Sequence, residues 1–275
     1  MKVIRAKHAG VCYGVERALD MAVAALMDDG STYTLGPLIH NPQVVSRLAE
    51  QGVQAVDDVS AIDDGIVVIR SHGVEPQVIT DLHDRGLTVV DATCPHVAKA
   101  QRAAADMYHK GATVLVIGRS EHPEVRGLCG HTDNSAIVIA DASEIPDELT
   151  EPVGIVVQTT ESKDKLNAVI EELRRRGIEP IVKNTICFAT KQRQESAANL
   201  ADEVDAIVVI GGKNSSNTTH LYEICQQHCP RSYFIESIDE IDPSWFDGCE
   251  NVGVTAGAST PDDQISTVVD YLESL

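Results

Sequence analysis

Three cysteines stand at the same kind of place in this chain, each where a polar strand end gives way to a helical pattern. They are Cys12 in "GVCYGVERALDMA", Cys94 in "DATCPHVAKAQRAA" and Cys187 in "NTICFATKQRQESA". None has a C-x-x-C partner, so whatever joins them is built by the fold and not by a local knuckle. Polar loop residues follow each thiol: His40 in "LIHNP" and His72 in "RSHGV", His122 in "SEHPEV" and Thr159 in "VQTTES", Ser215 in "KNSSN" and Ser259 in "GASTP". The first intervals agree, since 40 − 12, 122 − 94 and 215 − 187 all equal 28, while the second polar loops fall 60, 65 and 72 residues after their cysteines. The order thiol, polar, polar, three times over, reads as three diverged copies of one unit.

The donor types point to metal and phosphate chemistry. A structural zinc site takes four ligands and usually shows close-set pairs. Three thiolates from distant segments fit better an iron-sulfur cluster in which one iron lacks a protein ligand. Such an iron acts as a Lewis acid while the cluster supplies electrons. The helix start after each cysteine, with Arg17, Lys99 and Lys191 nearby in sequence, favours the thiolate that a metal requires. For any one of the three, burial as a small apolar residue is the competing reading. Cys129, Cys225, Cys229 and Cys249 fall outside the repeat. Cys225 and Cys229 read as buried, with a zinc site from Cys225, His228 and Cys229 as the alternative.

"IVVIGGKNSSNTTHLYEI" is a strand, a glycine turn, then Ser215, Ser216 and Asn217 entering a helix. Hydroxyls, amides and free N–H groups at a helix start make an anion site, although Ser and Asn are also ordinary N-caps. Ser259 stands at another strand end, and His40 and His72 are further donors. Several such groups suggest a diphosphate. Glu124, two residues after His122, would repel phosphate, so it fits better as a proton donor at the reacting end, with Thr159 relaying or orienting the proton. The competing reading of Glu124 is a first-turn helix acid favoured by the dipole.

These residues need a scaffold that brings loops together. Short β-branched runs such as "GIVVIR", "ATVLVIG", "VGIVVQ" and "DAIVVIGG" alternate with helical patterns such as "VERALDMAVAALM" and "KLNAVIEELRRRG". Strand then helix, repeated, means an α/β protein with mainly parallel sheets, whose ligands bind beyond the carboxyl ends of the strands. The expected modules are residues 13–94, 95–186 and 187–275, with 1–12 packing onto the third. Closed about a pseudo-threefold axis, they would turn three thiols toward one centre.

Composition narrows the class. A formal charge of −20 over 275 residues argues against nucleic acid or an anionic membrane as partner. The opening "MKVIRAKHAG" lacks the apolar core of a signal peptide and no apolar run reaches the roughly 18 residues of a membrane span, so the expected location is the cytoplasm. There, seven cysteines argue for metal ligation, catalysis or burial over a disulfide framework.

Taken in order, "GVCYGVERA", "HNPQVV", "SHGV", "DATCPHV", "HPEV", "QTT", "ICFATKQRQ", "KNSSN" and "TAGAS" resemble the 4-hydroxy-3-methylbut-2-enyl diphosphate reductase (IspH or LytB) family, from the first residues to about Ser259. The resemblance implies a trefoil of three α/β modules around one 4Fe-4S cluster per chain, held by Cys12, Cys94 and Cys187, with one iron not ligated by protein. It implies reductive dehydroxylation of an allylic diphosphate to isopentenyl and dimethylallyl diphosphate, the last step of the methylerythritol phosphate route, with the substrate hydroxyl on the open iron. His40, His72, Ser215, Ser216, Asn217 and Ser259 would grip the diphosphate, and His122 would also line the pocket. Glu124 would supply protons, and Thr159 or the adjacent Thr160 would contact the substrate hydroxyl or assist that transfer.

A reduced ferredoxin or flavodoxin is the implied electron donor. Both are commonly acidic, which calls for a local basic patch, and Arg174 to Arg176 is the candidate, although at the end of a helical pattern these cations read first as complements of the helix dipole. Tyr13 and Phe188 read as variable wall residues. The rival readings are a quinolinate-synthase-like cluster dehydratase, disfavoured by the serine and asparagine loops, and a non-catalytic iron-sulfur redox sensor, against which Glu124 counts.

Overall fold

The computed structural model describes residues 1–27 and 30–275. In chain order, β1 (Lys2–Arg5) leads through Cys12 into α1 (Tyr13–Ala25), β2 (Thr32–Leu35), α2 (Pro42–Gln51), β3 (Val53–Val56), β4 (Ile66–Ile69), α3 (Pro76–Asp84) and β5 (Thr88–Asp91). Cys94 then opens α4 (Pro95–His109), followed by β6 (Thr113–Ile117), α5 (Pro123–Gly130), β7 (Ile137–Ile139), β8 (Val153–Val157), α6 (Lys163–Arg175) and β9 (Ile181–Lys183). Cys187 opens α7 (Phe188–Ala201), followed by β10 (Ala206–Ile210), α8 (Ser216–His228), β11 (Ser232–Ile235), β12 (Asn251–Ala256) and α9 (Asp262–Ser274).

Two compact units result, a larger one of residues 17–39 and 47–187 and a smaller one of 1–16, 40–46 and 188–275. The larger unit holds two four-stranded sheets, ordered β3-β2-β4-β5 and β7-β6-β8-β9. The smaller holds one, ordered β11-β10-β12-β1. Each sheet therefore has its second, first, third and fourth strands side by side, and every pairing among the described residues is parallel. The fourth place in the last sheet is taken by the opening strand, with Lys2 opposite Asn251 and Arg5 opposite Val254. In each sheet the chain runs from the fourth strand directly to one of Cys94, Cys187 and Cys12.

The central strands read as unbroken apolar runs because helices cover both faces of a parallel sheet. IVVI in β4, VGIVV in β8 and AIVVI in β10 are buried at every position. Each fully buried Val or Ile contributes roughly 1.5–3 kcal/mol, so the strands form a stiff frame and chemistry falls to the loops at their ends. Helices start by simple devices. Pro opens α3, α4 and α5 at a position whose N–H has no partner in the helix anyway. The Ser162 hydroxyl accepts from Lys165 N to cap α6. Gly177, at φ +85°, ends that helix in the left-handed conformation favoured there.

The basic run Arg174 to Arg176 closes α6, where cations complement the helix dipole. Arg174 pairs with Glu179, while Arg175 and Arg176 both pair with Glu172, each at 2.6 or 2.7 Å. Arg176 also donates to the carbonyls of Ile145 and Pro146. Three cations that read as a bare patch in sequence thus share two carboxylates, Glu172 and Glu179, and keep one net positive charge. No described helix is long and apolar enough to cross a membrane.

Candidate functional site

In the larger unit the cysteine loops are tied to their neighbours through the backbone. Cys94 N donates to Ser71 O at 2.9 Å, and the Cys94 carbonyl accepts from Ala98 N, so Cys94 stands at the N-cap of α4. Arg17 donates to the carbonyls of Thr93 at 3.2 Å and Asp91 at 3.5 Å. Arg17, which follows Cys12 in sequence, thus braces the Cys94 loop just after β5. Cys187 N donates to Thr159 O at 3.0 Å. Just before it, the Thr185 hydroxyl donates to Val157 O and accepts from Val157 N, so one side chain stitches the Cys187 loop to the end of β8.

Thr159 faces both ways. Its carbonyl holds the Cys187 loop, while its N–H and hydroxyl donate to the two carboxylate oxygens of Glu124 at 2.6 and 2.8 Å. Glu124 is 1% exposed and Thr159 5%. Burial pushes the Glu124 carboxyl up from 4.5 to about 7, overcoming the two Thr159 hydrogen bonds that lower it, and the Glu161 carboxylate adds to the rise. A carboxyl titrating near neutrality, with a hydroxyl beside it, can donate and regain a proton at physiological pH. Thr160, one residue on, accepts instead from Gln158 Nε2 at 2.9 Å. The two threonines that sequence cannot separate are separated by geometry.

His122 caps α5, its Nδ1 accepting from Glu124 N at 3.2 Å. With Nδ1 an acceptor, the neutral ring carries its proton on Nε2 and offers it as a donor. The His72 and His122 rings meet edge to face, with centroids 5.5 Å apart.

The smaller unit carries Cys12, His40, Ser215, Ser216, Asn217 and Ser259. Cys12 N donates to Ala258 O at 3.1 Å, and the Cys12 carbonyl accepts from Val15 N and Glu16 N. The turn before it needs Gly10, at φ +96°, where a Cβ would lie 2.9 Å from Ile265 Cδ1. The buried Arg193 guanidinium donates twice to the Gly10 carbonyl, at 2.6 and 3.2 Å. Ser215 is the N-cap of α8, accepting from Thr218 N. Past it, Ser216 Oγ, Asn217 Nδ2 and Thr218 Oγ1 are buried and have no protein partner. Leaving such groups unpaired costs about 1–3 kcal/mol each; Thr218 Oγ1 packs against Gly211 and Gly257, while Ser216 and Asn217 at the helix N-terminus suit a ligand better than stability. The Ser259 hydroxyl donates to His40 O at 3.0 Å, and Asn41 Nδ2 donates to Ser259 O at 3.0 Å.

Arg193, Thr185 and Asn41 escape sequence reasoning. Each acts on a carbonyl or amide far along the chain, and nothing local marks it.

The donor set fits an iron-sulfur cluster better than zinc. Cys12, Cys94 and Cys187 are in no disulfide, are half-buried, and each stands one residue before a helix. Cys225 and Cys229 are buried, and burial pushes the Cys225 thiol up to about 12; with His228 they do not form a group placed to hold a metal among the described residues. His228 Nδ1 is held by Asp202 at 2.9 Å, and the Cys229 thiol points to the carbonyls of Val204 and Asp205. The zinc alternative fails on these contacts.

Comparison with known proteins covers almost the whole chain. The family model described as LytB protein matches residues 3–273. The 4-hydroxy-3-methylbut-2-enyl diphosphate reductase of Trichlorobacter lovleyi is 48% identical over 277 residues, covering 100% of this chain and 99% of its own. That of Geobacter sulfurreducens is 47% identical, covering 99% and 97%. A solved (E)-4-hydroxy-3-methyl-but-2-enyl diphosphate reductase, described as the terminal enzyme of the non-mevalonate pathway, is 42% identical with a TM-score of 0.73 and full coverage of both chains. The E-1-hydroxy-2-methyl-but-2-enyl-4-diphosphate reductase of Plasmodium falciparum is 24% identical with a TM-score of 0.92, covering 98% of this chain and 87% of its own, and shares the fold.

Proposed function

The chain belongs to the LytB protein family, and on that premise we propose that it reduces (E)-4-hydroxy-3-methylbut-2-enyl diphosphate to isopentenyl and dimethylallyl diphosphate, the last step of the methylerythritol phosphate (non-mevalonate) route to isoprenoids. The observation that carries the site assignment is the buried Glu124–Thr159 pair, poised to move a proton near neutral pH. Membership of the family over residues 3–273 removes the ground for the quinolinate-synthase-like and sensor readings.

Cys12, Cys94 and Cys187 hold one 4Fe-4S cluster in this reading, with one iron left without a protein ligand. That cluster, when bound, supplies single electrons and a Lewis-acidic iron for the substrate oxygen. The balance is one carbon–oxygen bond broken, two electrons and two protons consumed, and one water released. Glu124 delivers protons, directly or through the Thr159 hydroxyl, and its raised pKa lets the proton be replaced after each turnover. Ser216 and Asn217 donate their unpaired buried groups to the diphosphate at the positive end of α8. His40, His72, His122, Thr160, Ser215 and Ser259 complete the lining, with His122 donating from Nε2. The module limits 13–94, 95–186, and 187–275 with 1–12 belong to the same reading, supported by one sheet being drawn from each. A reduced ferredoxin or flavodoxin supplies the electrons, and the enzyme works in the cytoplasm.

Anaerobic purification, iron and sulfide analysis, and turnover driven by reduced methyl viologen test the proposal. The expected result is about four irons per chain and formation of both isomeric products. Zinc, or no metal after reconstitution, overturns it.

A further inference from the structure

The groups proposed to grip the diphosphate in the smaller unit come from three separate loops: His40 after β2, Ser215 to Asn217 after β10, and Ser259 after β12. Donors on separate loops bind a ligand well only if their spacing is set beforehand, because a loop ordered by the ligand gives back part of the binding energy. Hydrogen bonds and one close packing contact set that spacing here.

The packing contact is at Gly212. A Cβ on it would lie 2.6 Å from His40 O, so the loop after β10 rests directly against the His40 loop. The hydrogen bonds meet at Gln264, in the first turn of α9. Gln264 Oε1 accepts from Asn41 Nδ2 at 3.0 Å, and Gln264 Nε2 donates to Glu236 O, just after β11, at 2.6 Å. On one side Asn41 Nδ2 also donates to Ser259 O. On the other the Glu236 carboxylate accepts from Lys213 N at 2.7 Å, two residues before Ser215. A single amide thus stands between the loops of His40 and Ser259 and the loop of Ser215.

The direction of every bond in this chain is fixed. Val44 N can only donate, and it donates to Asn41 Oδ1 at 3.2 Å, which leaves Asn41 Nδ2 to face Gln264. A backbone carbonyl can only accept, so Glu236 O takes the Gln264 Nε2 end. Glu236 is held in turn, its N–H donating to Glu240 Oε1 at 2.9 Å while Lys213 Nζ pairs with the other oxygen of Glu240. Gln264 follows two exposed aspartates and is itself half-buried. Both polar ends of its side chain are spent on other elements and not on its own helix.

We propose that Gln264 is a positioning residue for diphosphate binding: from outside the proposed ligand set, its amide holds the His40 and Ser259 loops and the Ser215–Asn217 loop at the spacing the diphosphate needs. The inference rests on the reductase reading of the site.

The test uses holoenzyme with reduced methyl viologen as donor. Q264M keeps the length of the side chain and removes both polar ends, Q264E keeps the acceptor for Asn41 and removes the donor to Glu236 O, and E236A frees Lys213 N. Substrate KM, kcat and the inhibition constant of inorganic diphosphate are measured for each and for Q264M/E236A, with melting temperatures on the same samples. Q264M should raise KM and the inhibition constant about tenfold and leave kcat unchanged, as expected when binding is lost equally from the ground and transition states. Q264E should raise both constants as well, which keeps the proposal testable if Q264M folds poorly. The double variant should show less than the product of the two single effects, because both substitutions break one chain of contacts. A lower melting temperature with KM and the inhibition constant unchanged makes the amide structural and overturns the proposal, as do single effects that multiply in the double variant. Absence of viologen-driven turnover in the unaltered holoenzyme overturns the reductase reading, and this inference with it.

Discussion

Thr159 gives Glu124 two hydrogen bonds, from its backbone at 2.6 Å and its hydroxyl at 2.8 Å, while its own carbonyl accepts from Cys187 N at 3.0 Å. One residue thereby joins the proposed proton donor to a proposed cluster-ligand loop. A shift in the Cys187 loop is felt by the acid through a single residue.

The pH dependence of turnover follows from that pair. Glu124 titrates at about 7, and a proton donor must be protonated, so kcat/KM should fall above neutral pH. The Thr159 hydroxyl lowers the Glu124 pKa. T159V should therefore move the falling limb to higher pH and slow turnover about 100-fold through loss of the relay. A limb that moves to lower pH contradicts the hydrogen-bond assignment.

Stability should carry the opposite face of the same shift. Burial raises the carboxyl from 4.5 to about 7, so its contribution is fully present below pH 4.5 and is lost as pH rises through 7. The loss is at most about 3 kcal/mol. E124Q, which cannot ionise, should gain in thermal stability relative to the unaltered protein between pH 5 and pH 8 while losing nearly all activity. A melting-temperature difference independent of pH contradicts the buried, raised carboxyl.

Ser216 separates binding from folding. Its hydroxyl is buried without a protein partner, so S216A should leave the melting temperature of the ligand-free protein unchanged or raise it, by about 1 kcal/mol of stability at most. Substrate KM should rise about tenfold, as for loss of a hydrogen bond to a charged group. Lost stability with unchanged KM would make the hydroxyl structural.

The cysteines should divide by environment. C12S, C94S and C187S should each lower the iron content of anaerobically purified protein. C225S and C229S should leave the iron-to-protein ratio unchanged, because those thiols are buried in the core around Leu200 and Leu221. Iron loss in C225S equal to that in C12S contradicts the assignment.

Arg193 should behave as a positioning residue. R193M removes both donors from the Gly10 carbonyl and the one to Ala189 O, and should cost about 1–3 kcal/mol. Iron content should fall with it, because the Cys12 turn loses its brace. R193K, which keeps a cation and a donor, should restore part of the iron content. The measurements are thermal denaturation and iron analysis on the same samples.

The alternation of β-branched runs and amphipathic helices made the α/β class legible, because a parallel strand must be apolar on both faces. The 28-residue interval exposed the repeat, and three sheets with one strand order match it. The arginine run ends its helix, as the dipole favours, and what the run alone did not show is that Glu172 and Glu179 reach back to it. The reach of Arg17 to the Thr93 carbonyl after β5 was equally invisible in its local sequence.

What the amino-acid sequence determined by itself was the inventory and its phase: three thiols before three helices, hydroxyls and amides at the start of α8, one acid after His122. Local propensity and periodicity encode such features. What only the tertiary structure decided was the state of those groups. Glu124 rises to about 7 because burial removes water from it, and Thr159 differs from Thr160 because it donates to that carboxylate while Thr160 accepts from Gln158. Ser216 and Asn217 stand unpaired because the fold encloses them without a partner. Desolvation and long-range hydrogen bonds depend on what the chain brings near, and no local stretch of residues carries that information.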